Sequence, residues 1–235
     1  MGIAIGVVLL PDLSRRLRAG DEDGGRHSLN RAAEFALTLT LPATTALIVI
    51  ALPLTQVLFQ RGAFSTTDAQ ATALALAVYA AGVPAFVLHK VLQPLFYARE
   101  DTRRPFHYAL ICLVVNAGLA LGLMRVAGFL SAPLAMSLAA WVMVVLLWLG
   151  SRQMGQSAQL DARLRHRLPR IVLASAIMGV GLHFGAGWLQ PALASSPLRW
   201  PALLSLVAGG SAIYFGAGAL IGAFRLAEFR AALRR

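Results

Sequence analysis

Charge is what this 235-residue sequence has least of. Asp, Glu, Lys and Arg together make up 13% of it, against about 25% in a soluble globular domain. Residues of the AVILMFWYC set make up 58%, and the mean hydropathy is +0.69. That is too little charge to cover a water-soluble body of this size, so the chain reads as an integral membrane protein. The same composition excludes disorder and collagen. The single cysteine, Cys112, can form no internal disulfide and supports no cysteine-based metal cluster. It is expected to act as a small buried hydrophobe. No stretch of about ten residues alternates in the manner of a membrane β-barrel strand. The net charge of +11 would suit nucleic acid if it were spread on a soluble surface. Here the basic residues cluster between long apolar runs, which is the membrane pattern, and no nucleic-acid partner is expected.

Catalytic groupings are also lacking. The acids Asp12, Asp21, Glu22, Asp23, Glu34, Asp68, Glu100, Asp101, Asp161 and Glu228 fall at loops or helix ends, so no carboxylate pair lies inside an apolar run. The histidines His27, His89, His107, His166 and His183 show no metal-ligand spacing. There is no P-loop, no GxSxG and no GxGxxG followed by a strand. The chain is therefore read as no enzyme, with no metal and no cofactor. Ser137, Ser175, Ser205 and Ser211 lie in apolar runs without a base beside them, and are expected to hydrogen-bond between helices.

What is present is a series of apolar windows, each about long enough to cross roughly 30 Å of hydrocarbon as a helix. They cover 35–59, 71–97, 106–124, 127–149, 171–190 and 200–224. The predicted fold is all-α: six full spans plus an N-terminal half-span over Met1–Leu13. That half-span has no basic n-region and no cleavage site. It reads as the end of a spanning helix, so the chain is expected to be part of a larger membrane protein. Lysines and arginines sort by alternate loops. Seventeen of 21 fall in one set and three, Arg61, Arg125 and Arg199, in the other, with Lys90 inside a span. This asymmetry places the first set, and the C-terminus, in the cytoplasm.

Pro42, Pro53, Pro84 and Pro94 lie within spans. They kink helices, as transporters do around a cavity, although proline is frequent in membrane helices generally. Small-residue pairs four apart at Gly2/Gly6, Gly118/Gly122, Gly181/Gly185 and Gly218/Gly222 would permit close helix contact. Lys90 sits roughly 10 Å inside its window. It either faces a hydrated path and meets an anionic substrate or snorkels to headgroups. Asn116 either joins two helices or lines that path. The loop YAREDTRRP, 97–105, alternates charge; Arg99, Glu100, Asp101, Arg103 and Arg104 either pair locally or meet phosphate. Arg163, Arg165, Arg167 and Arg170 would sit at anionic headgroups, and FRLAEFRAALRR, 224–235, reads as a basic amphipathic surface helix.

Three segments occur in order: GIAIGVVLLPDLSRRLRAG (2–20), LPLTQVLFQRGAFSTTDA (52–69) and KVLQPLFYAREDTRRP (90–105). Together they resemble the MurJ/MviN family, the bacterial lipid II flippases of the multidrug/oligosaccharidyl-lipid/polysaccharide exporter superfamily. The resemblance implies a C-terminal half of a fourteen-helix plan. Residues 1–150 would be a partial six-helix lobe, from the end of helix eight to helix twelve, and 151–170 a cytoplasmic basic linker. Residues 171–224 would be an extra helix pair holding a polyprenyl tail in a groove, and 225–235 a cytoplasmic basic tail. It implies translocation of undecaprenyl-linked peptidoglycan precursor across the bacterial inner membrane by alternating access. The N-terminal lobe that carries the family's cavity arginines has no counterpart here, so the chain alone is expected to be inactive. Lys90 and Asn116 become candidates for the substrate path, and Tyr97, Arg99, Asp101 and Arg103 for a cytoplasmic motif. The implied partners are the lipid substrate, membrane lipids and that N-terminal lobe. Other readings are a related polysaccharide-lipid flippase or drug-exporter half, and a non-transporting membrane scaffold.

Overall fold

A computed structural model describes residues 2–194 and 197–223, with side chains from Leu9 onward except that of Gln156. Every regular element among the described residues is helical. In order they are α1 (Gly2–Arg18), α2 (Glu22–Val49), α3 (Ala51–Phe59), α4 (Thr66–Tyr97), α5 (Arg103–Ala127), α6 (Ser131–Ser151), α7 (Ala162–Trp188), α8 (Gln190–Ala194) and α9 (Arg199–Ile221). Short 3-10 turns occupy Gly128–Leu130 and Gln156–Ala158. Five stretches are long and apolar enough to cross a membrane: Glu22–Val49, Thr66–Tyr97, Arg103–Ser151, Ala162–Trp188 and Arg199–Ile221. The third, of 49 residues, turns at Gly128, whose φ of +54° suits glycine, and comprises α5 and α6. The basic helix expected over 224–235 lies outside the described residues.

The apolar window over 35–59 is two helices rather than one. It breaks at Ile50 (φ −106°, ψ 22°). Pro53 is the cause: it has no N–H for the Val49 carbonyl and its ring clashes there. The other prolines stay within continuous helices. One turn before Pro84 the Ala81 carbonyl accepts the indole N–H of Trp141 at 3.0 Å. A neighbouring helix thus supplies a donor where proline disturbs the ladder.

The chain divides into two compact units, the described residues of Met1–Thr40 with Ala81–Arg165, and those of Leu41–Ala80 with His166–Arg235. The first unit packs Leu9, Leu13, Leu29, Ala36, Val91, Leu95, Phe96, Met143 and Leu147 into one core. Within it α6 buries Ala135, Ala139, Met143 and Leu147, four apart and so on one face. Gly82 of α4 lets α6 approach: a Cβ there would stand 2.8 Å from Ser137 Oγ and 3.1 Å from its Cα. The second unit packs Ile50, Ile171, Ala174, Met178, Leu182, Leu206 and Tyr214. Here Gly181 meets Ile213, Gly185 meets Leu206, and Gly210 meets Leu182. Of the expected small-residue pairs, Gly181/Gly185 therefore does mediate helix contact. Gly118 and Gly122 face open space.

Many buried side chains are hydroxylic while large apolar ones face outward. Thr38, Thr40, Thr44, Ser137 and Ser175 are buried; Val126 is 87% exposed, Trp188 86% and Leu220 90%. That inversion suits an apolar solvent. Thr38, Thr40, Thr45, Thr55, Ser175 and Ser211 donate to the carbonyl four residues back, and Ser205 to Ala202, three back. The expectation that Ser175, Ser205 and Ser211 join helices is corrected accordingly. In lipid the nearest acceptor is the residue's own helix.

Candidate functional site

The arginine-rich loops of the first unit converge. Three clusters result, two of them built from residues distant in sequence. In the first, Asp12 of α1 accepts from Arg16 Nε at 3.0 Å and from Ser28 Oγ of α2 at 2.6 Å. Arg16 also reaches Asp21 at 3.3 Å, and Asp21 in turn accepts the Gly24 N–H at 2.8 Å, capping α2.

In the second cluster Arg99, at the end of α4, donates through Nη2 to Glu22 at 2.7 Å and to Ser157 at 3.0 Å. The Ser157 N–H returns to Glu22 at 3.1 Å. One guanidinium thus ties the end of α4, the start of α2 and the turn before α7. The third cluster is the most enclosed. Glu34 has a side chain 9% exposed and accepts from Arg31 and from Arg163, the latter at 3.4 Å. Arg31 also meets Asp161 at 2.7 Å. Asp161 caps α7 by accepting the Leu164 N–H at 2.7 Å, and its own N–H donates to Asn30 at 3.0 Å. Asn30 completes the clamp by donating to the Arg26 and Gln159 carbonyls. Burial alone would raise the Asp161 carboxyl. The Leu164 N–H and the Arg31 guanidinium, helped by His27, outweigh that and hold it below its ordinary 3.8.

The 97–105 loop is organised by this network more than by itself. Asp101 pairs locally with Arg104 at 3.3 Å and accepts its N–H. Arg99 turns away to Glu22. Tyr97 is exposed. Arg103 is exposed too, its carbonyl accepting from His107 Nδ1 at 2.7 Å. Among the described residues no partner for the Arg103 guanidinium is found. Glu100 has φ +60° and occupies the left-handed position that closes α4, with the Asp101 N–H returning to the Phe96 carbonyl at 3.0 Å.

Asn116 and Lys90 are not brought together. Asn116 lines an open groove of about 350 Å³ between α4, α5 and α6, with His89, Gln93, Cys112 and Met143. Lys90 is half-buried and is no part of that lining. Sequence reasoning missed His89 and Gln93, although their spacing of four puts them on one helical face. Cys112 is half-buried, its Sγ 3.8 Å from Met143 Sδ. Among the described residues no three His, Cys, Asp or Glu gather at a metal-sized site.

Comparison with known proteins places this arrangement. The family model for lipid II flippase MurJ matches residues 1–198. The probable lipid II flippase MurJ of Rhizobium meliloti (strain 1021) is 40% identical over 238 residues, covering 100% of this chain and 44% of that protein. The probable lipid II flippase MurJ of Vibrio cholerae serotype O1 is 32% identical, covering 98% and 44%. The solved structure of lipid II flippase MurJ in an inward closed conformation superposes with a TM-score of 0.73 at 20% identity, over 100% of this chain and 44% of that one. The chain thus spans less than half the length of the relatives it matches.

Proposed function

The chain belongs to the lipid II flippase MurJ family, and on that premise we propose that it forms one wall of a transporter for polyprenyl-linked peptidoglycan precursor in the bacterial inner membrane. The observation that carries this reading is the match to flippases end to end, at 40% identity with the Rhizobium meliloti protein. The remainder of the relatives' length supplies the opposing wall, and one wall rocks against the other to expose the cavity to each side in turn. The activity we assign is transport, with the headgroup in the hydrated path and the tail in lipid.

In this reading the arginine-rich end is cytoplasmic, six crossings follow the half-span, and the C-terminus is cytoplasmic. The three ionic clusters tie the loops of the first unit together, as a lobe that rocks requires. Residues 1–150 act as the lobe, 151–170 as its linker, and 171–224 as the pair that receives the polyprenyl tail. Lys90 faces the path and meets the anionic part of the substrate; Asn116 lines a side groove. Tyr97 and Arg103, exposed at the cytoplasmic mouth, greet the substrate, while Arg99 and Asp101 hold that mouth in shape.

Cells depleted of their own flippase provide the test. The chain alone gives no growth, whereas a chimera in which it replaces the matched 44% of the Rhizobium meliloti protein restores growth. Rescue by the chain alone refutes the need for an opposing wall. A membrane-inserted chimera that gives no growth refutes the flippase reading and leaves the scaffold reading.

A further inference from the structure

The second unit holds a cavity of about 540 Å³ at its arginine-poor end, within the size range of small-molecule sites. Gln56 of α3, Gln60 just after it, Gln190 of α8 and Arg199 of α9 line it, with Leu52 and Leu193 among its apolar walls. One side is therefore amide and guanidinium, the other hydrocarbon. Gln60 spends one amide hydrogen on Thr66 at 2.9 Å; its carbonyl oxygen remains for a ligand.

Arg199 is the anomaly. Its Nε is shut off from solvent and has no hydrogen-bond partner among the described residues. Arg26, Arg31 and Arg99 also carry one such nitrogen, but all three lie in the acid-rich first unit, where Arg31 and Arg99 each hold a carboxylate. Arg199 finds none among the described residues of its unit. Asp68 is the sole carboxylate in 41–80 and 166–223, and it is committed to the Ser65 N–H and hydroxyl at 2.9 and 2.7 Å. The other cation at this end, Arg61, lies 5.7 Å over the ring of Trp200. Two arginines thus share this end with one exposed, occupied carboxylate. Arg199 also opens a 23-residue helix whose N-cap, Leu198, makes no side-chain capping bond, so the helix dipole adds positive potential at the same place.

The cavity's surroundings fix its depth. Phe59, Trp188 and Trp200, each within two residues of a lining residue, are exposed, as in the aromatic belt that marks the level of lipid headgroups. We propose that this cavity binds the phosphate-bearing headgroup of an anionic phospholipid of the non-cytoplasmic leaflet. Arg199 takes the phosphate, the glutamines take headgroup hydroxyls, and the leucine wall takes the start of the acyl chains. The site lies partly on the 171–224 pair assigned above to the polyprenyl tail, and its polar lining of Gln56, Gln60, Gln190 and Arg199 takes a headgroup instead. It gives Arg199 a counter-ion that the described residues of its unit do not supply.

Native mass spectrometry of the full chain, released from nanodiscs of phosphatidylcholine with a minority of phosphatidylglycerol, tests this. The wild type retains phosphatidylglycerol. Arg199→Gln lowers retention about tenfold, the loss expected when a charge-assisted hydrogen bond is removed. Gln190→Leu lowers it less, and Arg125→Gln, outside the cavity, leaves it unchanged. Equal retention by wild type and Arg199→Gln overturns the proposal, as does unaltered retention by Gln190→Leu should Arg199→Gln fail to fold. A parallel titration with inorganic phosphate separates the two sources: saturation by phosphate alone, without lipid retention, overturns the lipid assignment.

Discussion

Five arginines of the first unit and two of the second are chemically the same and differently employed. In the first unit Arg16, Arg31, Arg99, Arg104 and Arg163 each hold a carboxylate of the same unit. Most of these pairs join segments far apart in sequence. In the second unit Arg61 stacks on Trp200, and Arg199 faces a cavity with no carboxylate to meet it. Counting basic residues assigns sidedness. It does not tell whether a guanidinium is a structural tie or a site awaiting an anion; only the supply of acids around it does. One end holds itself together, and the other is open to whatever the leaflet offers.

Removing the hub of the first network is expected to have the largest effect. Glu34→Ala leaves Arg163 without its carboxylate and Arg31 with Asp161 alone at an enclosed position. Truncating one partner of a buried pair costs about 3–5 kcal/mol, and partial exposure of the two arginines moderates this to about 3. Thermal unfolding in detergent, followed by helicity, should show that loss, while Arg199→Gln in the second unit leaves the midpoint nearly unchanged. Comparable losses from both variants would erase the contrast between the units.

Next comes close helix contact. Gly82→Ala drives a methyl against the Ser137 backbone, and such overpacking costs about 1–3 kcal/mol. Gly118→Ala meets nothing within 4 Å and should gain up to about 1 kcal/mol from helix propensity. The two midpoints should move in opposite directions.

A third prediction concerns pH. The Asp161 carboxyl is held below 3.8 in the fold. Its stabilising contribution is complete above that value and disappears as pH falls through the depressed native value. The difference in unfolding midpoint between wild type and Asp161→Asn should therefore be constant near neutrality and shrink only below about pH 4. A difference that shrinks already around pH 6 would mean that another group governs it.

The smallest effect belongs to the α4 terminus. The positive φ of Glu100 costs about 1–2 kcal/mol in any L-residue with a side chain. Glu100→Gly should recover about 1 kcal/mol, as Gly222 already does at the end of α9 with φ +71°. No gain would show the loop to be free in the first place.

The helices themselves were legible. Apolar windows located every long one, because lipid demands long uninterrupted hydrogen-bonded segments. The break at Ile50 was hinted at by Pro53, but proline alone does not distinguish a kink from a break: Pro42, Pro84 and Pro94 lie in helices that continue. The site was less legible. Arg99 was marked by the charge pattern of 97–105, yet its partner Glu22 lies in another loop, and no local spacing encodes that meeting. Asn116 stood out as an amide in an apolar run. His89 and Gln93 did not, because a groove is a property of three helices. The cavity at Arg199 was least visible, being made by elements of the second unit that are scattered along the chain.

The most direct measurement is translocation itself. The chimera of this chain with the remaining 56% or so of the Rhizobium meliloti protein, reconstituted in proteoliposomes, should carry fluorescent lipid II from one leaflet to the other, and Lys90→Ala should slow that transfer more than Lys90→Arg. A folded, correctly inserted chimera that leaves lipid II in its original leaflet would contradict the assignment of this chain as a flippase wall.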